Sequence, residues 1–203
     1  MTMISNASLA ELFEGQRLMA ILRGFGAERS VELAQQAWNL GIDCVEVPIQ
    51  TSADLEALRA VVEAGTDAGK SVGAGTVVSL DHVRQAHSAG AAFTVSPGYD
   101  PTISLASFEA GMPPLPGVAT ASDVQAAMRQ GLTWLKAFPA VLLGPVWFRQ
   151  MAAPFPGAHF VATGGMDASN AEEFLAAGAH VVAVGSALAD PQQLPRLAAI
   201  ASA

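Results

Sequence analysis

A short phrase recurs along this chain: a mixed polar and apolar segment, then a glycine, then a short apolar run. Five copies read QQAWNLGIDCVEVP, VRQAHSAGAAFTVSP, LASFEAGMPPLPGVA, AAMRQGLTWLKAFP and EFLAAGAHVVAVGS. Glycine favours the positive-φ position just after a helix, so the glycine of each copy is predicted to end one. These glycines are Gly41, Gly90, Gly111, Gly131 and Gly178. The spacing of about 20–28 residues leaves room for eight units in 203 residues.

Amphipathic helices that alternate with short apolar strands predict βα units and a parallel sheet buried on both faces. Eight such units close as a (β/α)8 barrel, and we expect residues 1–203 to form this single domain. The predicted strands are 18–22, 43–48, 71–74, 92–96, 115–119, 133–138, 159–163 and 181–184. The alternative is an open doubly wound sheet, but no G-x-G-x-x-G follows a strand and the count of eight favours the barrel.

The first segment, SLAELFEG, predicts a short helix that closes the bottom of the barrel. Ser8 and Glu11 have the spacing of a capping box. The preceding residues lack the basic region and apolar stretch of a signal peptide. Cys44 is the one cysteine, so no internal disulfide is possible and a reducing, cytoplasmic location is expected.

Composition limits the partners of this chain. The formal net charge is −8, and 14% of the residues are charged against 51% hydrophobic. There is no basic footprint of the kind that binds nucleic acid or a membrane surface, so neither partner is expected. An anionic ligand must therefore be held by a few well-placed groups.

Two charged residues interrupt apolar strands. Lys136 lies in WLKAFPA and Glu46 in CVEVP, and both fall near the carboxyl ends of predicted strands, where barrel enzymes place their working residues. A buried Lys–Glu pair can be purely structural, but this position favours chemistry. Desolvation, with Arg23 nearby, would lower the pKa of Lys136 and supply a neutral amine that attacks a ketone to form a Schiff base. Glu46 can move protons beside it.

Further polar and glycine residues end the predicted strands at the same rim. Loops after strands 7 and 8 of such barrels often hold phosphate, and TGG and VGS stand at these positions. The helix start in GMDASNAEEF follows TGG, with Ser169 or Asn170 as a possible N-cap. The four histidines have no ligand pair at i,i+4 spacing, so we expect packing or surface roles for them and no metal site.

The motifs EVPIQT, VGAGTV, VSPG, PGVAT, LKAFPA, ATGGM and VGSAL, in this order, resemble the 2-keto-3-deoxy-6-phosphogluconate (KDPG) and 2-keto-3-deoxy-6-phosphogalactonate (KDPGal) aldolases. The resemblance extends from Ile21 to about Leu188. It implies a class I aldolase on a (β/α)8 barrel that uses no metal or cofactor, acts on a phosphorylated 2-keto-3-deoxy sugar acid and forms a homotrimer.

The resemblance also implies roles for individual residues. Lys136 would form the Schiff base and Glu46 would be the general acid and base. The substrate would be bound by Arg23, Gln50 and Thr76 at its carboxylate, by Pro97 and Phe138 along the pyruvyl group, and by Thr163, Gly164, Gly165, Gly185 and Ser186 at its phosphate.

Two positions depart from the pattern of many members. Gln50 stands where many carry a carboxylate-binding arginine, so Arg23 is expected to take that role. Ala162 replaces a proline before TGG, and this is expected to alter loop rigidity only. Features of both branches occur, so KDPGal remains an alternative substrate. The resemblance leaves 4-hydroxy-2-oxoglutarate as another, since several members of the family accept it. A phosphate-sugar isomerase and a non-catalytic phospho-ligand barrel are the more distant alternatives.

Overall fold

Nine parallel strands form a nearly closed barrel in the computed structural model, which describes residues 4–203. The strands are β1 Leu18–Ile21, β2 Val45–Pro48, β3 Val72–Gly75, β4 Thr94–Val95, β5 Pro114–Leu115, β6 Gly117–Val118, β7 Trp134–Ala137, β8 His159–Thr163 and β9 Val181–Val184. Their order in the sheet is β5-β4-β3-β2-β1-β9-β8-β7-β6. The strands overlap all eight predicted ones, and the predicted (β/α)8 barrel is confirmed.

The ring is completed by segment 114–118, which pairs with one neighbour through each half. Leu115 of β5 is in register with Val95 of β4, and Gly117 of β6 with Lys136 of β7. Pro116 separates the halves because it has no N–H to donate, although its carbonyl accepts a hydrogen bond from the Lys136 amide at 2.8 Å. The single strand predicted at 115–119 is thus two short strands.

The helices surround the strands, and all but the first and the last connect successive strands. They are α1 Leu9–Leu12, α2 Ala27–Asn39, α3 Ser52–Ala68, α4 Leu80–Ser88, α5 Pro101–Glu109, α6 Ala121–Arg129, α7 Ala140–Ala152, α8 Ala171–Ala176 and α9 Leu194–Ala201, with a 3-10 turn at Ser186–Ala189. All five glycines predicted to end helices have positive φ, between 80° and 107°. That prediction is confirmed, and it explains why the phrase recurs: each helix needs one residue that reverses into the next strand.

Helix α1 closes the bottom of the barrel, as predicted. Leu9 and Phe13 are buried in a cluster of apolar side chains that also contains Cys44 and Trp134, which we call the interior cluster. The Phe13 ring lies 4.8 Å from that of Trp134 on β7. The predicted capping box is wrong. Ser8 itself has helical angles, φ −63° and ψ −19°, and its side chain makes no cap bond. The turn begins earlier, because the Leu9 amide donates to the carbonyl of Asn6 at 3.0 Å.

The buried side chain of Asn6 joins β5 to β7 where β6 does not extend. Its Nδ2 donates to the carbonyls of Pro114 at 2.9 Å and Trp134 at 2.7 Å. Its Oδ1 accepts from the amides of Thr133 at 2.9 Å and Trp134 at 3.3 Å. One side chain therefore satisfies backbone groups that a neighbouring strand would otherwise pair.

The remaining sequence expectations concern packing. His159 stacks on Trp134 at 4.8 Å and lies 4.6 Å from the ring of His180, so two of the four histidines pack at the barrel bottom. Cys44 is free and buried in the interior cluster. Across residues 4–203, no group of three or more potential ligands is arranged to hold a metal ion. None of the helices described has the length and apolar character needed to cross a membrane.

Candidate active site

Lys136 and Glu46 meet inside the barrel near the carboxyl ends of its strands. The Lys136 Nζ lies 3.9 Å from Glu46 Oε1, and the two side chains are 4% and 1% exposed. Lys136 on β7 lies two residues after Trp134, and Glu46 on β2 lies two residues after Cys44. Trp134 and Cys44 both face the interior, so strand alternation turns the two charged side chains there as well. The pair expected from the sequence is therefore present.

Missing side chains on β3 make room for the carboxylate. A Cβ added at Gly75 would overlap Glu46 Oε2, and one added at Gly73 would overlap the ring of Phe93. Neither oxygen of Glu46 accepts a hydrogen bond from any residue described. A buried carboxylate left without hydrogen bonds is costly, and such groups occur where a reaction needs them.

Burial shifts the pKa of Glu46 and that of Lys136 in the directions that favour their neutral forms. Desolvation raises the pKa of Glu46, while the positive charges of Lys136 and Arg23 oppose that rise. Desolvation lowers the pKa of Lys136; Glu46 works against this shift and Arg23 adds to it. The net effect is a lysine that gives up its proton more readily than an ordinary one, which a nucleophilic amine requires.

Arg23, Gln50 and Thr76 form a polar cluster at the same rim. The Arg23 guanidinium donates to Gln50 Oε1 through Nη1 and to Thr76 Oγ1 at 3.1 Å through Nη2. Thr76 has φ 58°, an unusual value for a residue with a branched Cβ. The backbone there is held in a strained form, and such strain is typical of functional sites.

A cavity of about 460 Å³ opens above Lys136. It is lined by Ile21, Arg23, Phe25, Lys136, Phe138, Thr163, Gly164, Gly165, Met166, Asp167, Ala183, Gly185, Ser186 and Gln193. The cavity thus brings together eight of the twelve residues predicted for the site. Gln50 and Thr76 join it through Arg23, and Glu46 joins it through Lys136.

Part of the cavity lining comes from two glycine-containing loops, after β8 and after β9. Among the residues described, the backbone amides of Gly165, Met166, Gly185 and Ser186 donate no hydrogen bond. We call these four amides the amide cradle. Free N–H groups that converge in a glycine loop bind anions without any positively charged side chain.

The predicted helix start after TGG differs in detail. Asn170 precedes α8, but its side chain does not cap that helix. Its Oδ1 instead accepts from the Asp167 amide at 3.1 Å and its Nδ2 donates to the Gly165 carbonyl at 2.9 Å. Asp167 Oδ1 accepts from the Ser169 amide at 2.7 Å. These bonds fix the loop. The Ser169 amide is occupied by its bond to Asp167 and is therefore not free to bind an anion.

Phe138 and Pro97 occupy different places. Phe138 lines the cavity, with the centre of its ring 5.1 Å from Lys136 Nζ. Pro97 is half-buried after β4 and does not line the cavity. Its carbonyl packs against Gly117, the residue in register with Lys136, where an added Cβ would overlap it.

Sequence reasoning missed six lining residues: Ile21, Phe25, Met166, Asp167, Ala183 and Gln193. Four of them, Ile21, Phe25, Met166 and Ala183, are apolar and carry no pattern that distinguishes them from core residues. Gln193 immediately precedes α9 and lies outside any strand end. A second cavity, of about 520 Å³, lies beside α1 at the opposite end of the barrel, and none of the twelve residues predicted for the site lines it.

The sequence model described as KDPG and KHG aldolase matches residues 9–202. The 2-dehydro-3-deoxy-phosphogluconate aldolase of Treponema pallidum is 34% identical over 92% of this chain and 88% of its own length. The probable 2-dehydro-3-deoxy-6-phosphogalactonate aldolase of Rhizobium meliloti is 31% identical over 86% of this chain and 82% of its length. The KDPG aldolase of Legionella pneumophila, solved with pyruvate as a covalent carbinolamine intermediate, superposes with a TM-score of 0.81 at 25% identity, over 94% of this chain and 95% of its own.

Proposed function

The chain belongs to the KDPG and KHG aldolase family, and we propose that it cleaves 2-keto-3-deoxy-6-phosphogluconate to pyruvate and glyceraldehyde 3-phosphate as a class I aldolase. The observation that carries this proposal is the buried Lys136–Glu46 pair, 3.9 Å apart, whose lysine lines the same cavity as the amide cradle. One cavity then offers a nucleophile, a proton carrier and an anion site.

The first half of the reaction makes an electron sink. The neutral Lys136 Nζ attacks the C2 ketone, and one proton moves from the nitrogen to the former carbonyl oxygen, which becomes a carbinolamine hydroxyl. Glu46, whose raised pKa favours its protonated form, gives a proton to this hydroxyl, and water leaves as the iminium forms. Glu46 is then an ionised carboxylate beside a positively charged nitrogen.

The second half breaks the carbon–carbon bond. The Glu46 carboxylate takes the proton of the C4 hydroxyl, the C3–C4 bond pair moves into the iminium, and glyceraldehyde 3-phosphate leaves. The remaining enamine accepts a proton from Glu46 at C3. One water then hydrolyses the new iminium, which releases pyruvate and neutral Lys136 and returns a proton to Glu46. Each proton taken is returned, so the pair ends as it began.

The two ends of the substrate are assigned to different walls. Arg23, Gln50 and Thr76 bind the carboxylate, since a guanidinium and two hydrogen-bonding neighbours suit a planar anion. Phe138 lies along the pyruvyl group, whereas Pro97, outside the cavity, supports Gly117 beside Lys136. The phosphate lies against the loops of Thr163, Gly164 and Gly165 and of Gly185 and Ser186.

Borohydride reduction in the presence of pyruvate tests the mechanism. We expect one reduced pyruvyl group on the peptide that bears Lys136, and Lys136→Ala should remove both the adduct and turnover. The chain has two lysines, so Lys70→Ala is a matched control that should keep both. Absence of the adduct from the wild-type protein would favour an isomerase or a non-catalytic phospho-ligand barrel.

A second candidate substrate is the galactonate epimer, 2-keto-3-deoxy-6-phosphogalactonate. The observation that favours it is that the guanidinium comes from Arg23 on the β1 side, with neutral Gln50 as its partner. The Rhizobium meliloti relative carries the corresponding name. Pyruvate release from the two C4 epimers, measured side by side, decides between them, with 4-hydroxy-2-oxoglutarate as the third substrate to assay.

We also propose that the protein is a cytoplasmic homotrimer. Val141, Leu142 and Val146 near the start of α7 are 51%, 81% and 57% exposed, and a cluster of exposed apolar side chains suits a subunit contact. Native mass spectrometry should give three times the chain mass. A monomeric mass at micromolar concentration would contradict the trimer without touching the proposed chemistry.

A further inference from the structure

The amide cradle is divided between two loops that are far apart in the chain. Gly165 and Met166 follow β8, whereas Gly185 and Ser186 follow β9. An anion held by all four amides needs the loops at a fixed separation, because a hydrogen bond weakens steeply when its geometry is lost. Pairing of β8 with β9 sets the separation of the loops at their base, up to Thr163 and Ala183, so a further contact is needed to set it beyond that point.

Each loop is ordered mainly within itself. Asn170 and Asp167 fix the first loop by the bonds described above. In the second, the Leu188 amide donates to the Gly185 carbonyl at 3.0 Å and the Asp190 amide to the Ala187 carbonyl at 3.3 Å. None of these bonds crosses from one loop to the other.

Gln193 makes the crossing. Its Oε1 accepts from the Ala168 amide at 3.1 Å, and its Nε2 donates to Asp190 Oδ2 at 3.1 Å. Among the hydrogen bonds of residues 4–203, the one to Ala168 is the sole link between segments 164–170 and 185–193. The side chain is half-buried and lines the same cavity.

We propose that Gln193 is a positioning residue that holds the two halves of the amide cradle together and thereby sets affinity for the phosphorylated end of the substrate. This inference rests on the proposed function. It assigns Gln193 no contact with the reacting carbons, because Lys136 and Glu46 are held by β7 and β2, which are independent of this link.

Gln193→Met tests the proposal, since it keeps the length of the side chain and removes both hydrogen bonds. A neutral hydrogen bond corresponds to roughly a three- to tenfold change in affinity. We therefore expect KM for the phosphorylated substrate to rise by about this factor. The kcat/KM for the unphosphorylated 2-keto-3-deoxy sugar acid, and borohydride trapping of pyruvate on Lys136, should stay at wild-type values.

Gln192→Met is the matched control, because Gln192 is exposed and does not line the cavity. It should leave all three measurements unchanged. An equal loss for phosphorylated and unphosphorylated substrates in Gln193→Met would indicate a general structural role and overturn the proposal, as would an unchanged KM. Failure of pyruvate trapping in the wild-type protein would instead refute the proposed function, so the two failures are distinguishable.

Discussion

Two neighbours of opposite charge shift the pKa of Lys136. The reactivity of the lysine should therefore change when either neighbour is replaced. Glu46 stabilises the ammonium form, whereas Arg23 destabilises it, and burial lowers the pKa more than either. Single substitutions at Glu46 and at Arg23 should therefore shift the pKa of Lys136 in opposite directions.

The pH dependence of Lys136 reactivity should follow these signs. Acylation of Lys136 should rise with pH through a midpoint below that of an ordinary lysine. Glu46→Gln should move the midpoint further down, because it removes the charge that stabilises the ammonium. Arg23→Ala should move it up. Peptide-resolved mass spectrometry measures both, with Lys70 as internal reference, and shifts in the reverse directions would contradict the assignment.

Arg23 should also control pyruvate affinity. A charged hydrogen bond is worth roughly 1.5–3 kcal/mol, so Arg23→Ala should raise the Kd for pyruvate by about 10- to 100-fold. Calorimetry measures this directly. Arg29→Ala is the control, since Arg29 is exposed on α2 and pairs with Glu32. Unchanged pyruvate binding in Arg23→Ala would assign the carboxylate to Gln50 and Thr76 alone.

At the scale of single elements, β3 contributes to the site by what it lacks. Its residues Gly73 and Gly75 leave the space that Phe93 and Glu46 fill. Because two of its four residues are glycines, β3 has low intrinsic β-propensity. Its stability must come from pairing with its neighbours β2 and β4.

Gly75→Ala should therefore inactivate the enzyme while leaving it folded. The new methyl group would displace the Glu46 carboxylate, and loss of the proton carrier should lower kcat by about 10²- to 10⁴-fold. Circular dichroism checks the fold and an aldol-cleavage assay checks the rate. Gly157→Ala is the matched control, because its added Cβ would make only an ordinary 3.7 Å contact with Met128. Full activity in Gly75→Ala would show that Glu46 does not need its present position.

The elements were predictable from sequence because their signals are local. A glycine after each helix and an apolar run after each glycine locate the strands, and Lys136 and Glu46 are conspicuous because charge is rare in such runs. Gln193 and Asn6 were not predictable. Each bonds to backbone far away in the chain, Asn6 to residues 108 and 128 positions on, and nothing near them in sequence marks those partners. The predicted cap at Ser8 failed for a related reason, since the turn begins at Asn6.

At the scale of the whole molecule, the barrel depends on how its ring is closed between β5 and β7. Two strands that do not pair are joined there by one buried amide. The segment that precedes the first strand is thereby part of the barrel wall.

Asn6→Ala should destabilise the protein by about 3 kcal/mol, since it leaves buried backbone donors and acceptors without partners. Urea denaturation measures the change. Glu14→Ala, at an exposed position nearby, should cost less than about 0.5 kcal/mol. A loss under about 1 kcal/mol in Asn6→Ala would mean that the strands find other partners.

The amide cradle and the Arg23 cluster differ in how easily evolution can alter them. Arg23, Gln50 and Thr76 act through their side chains, so a single substitution can change the carboxylate end of the site. The cradle acts through backbone N–H groups, which every residue except proline retains. Substrate preference in descendants of this chain should therefore drift at the carboxylate end, while recognition of the phosphate end persists until a loop changes length.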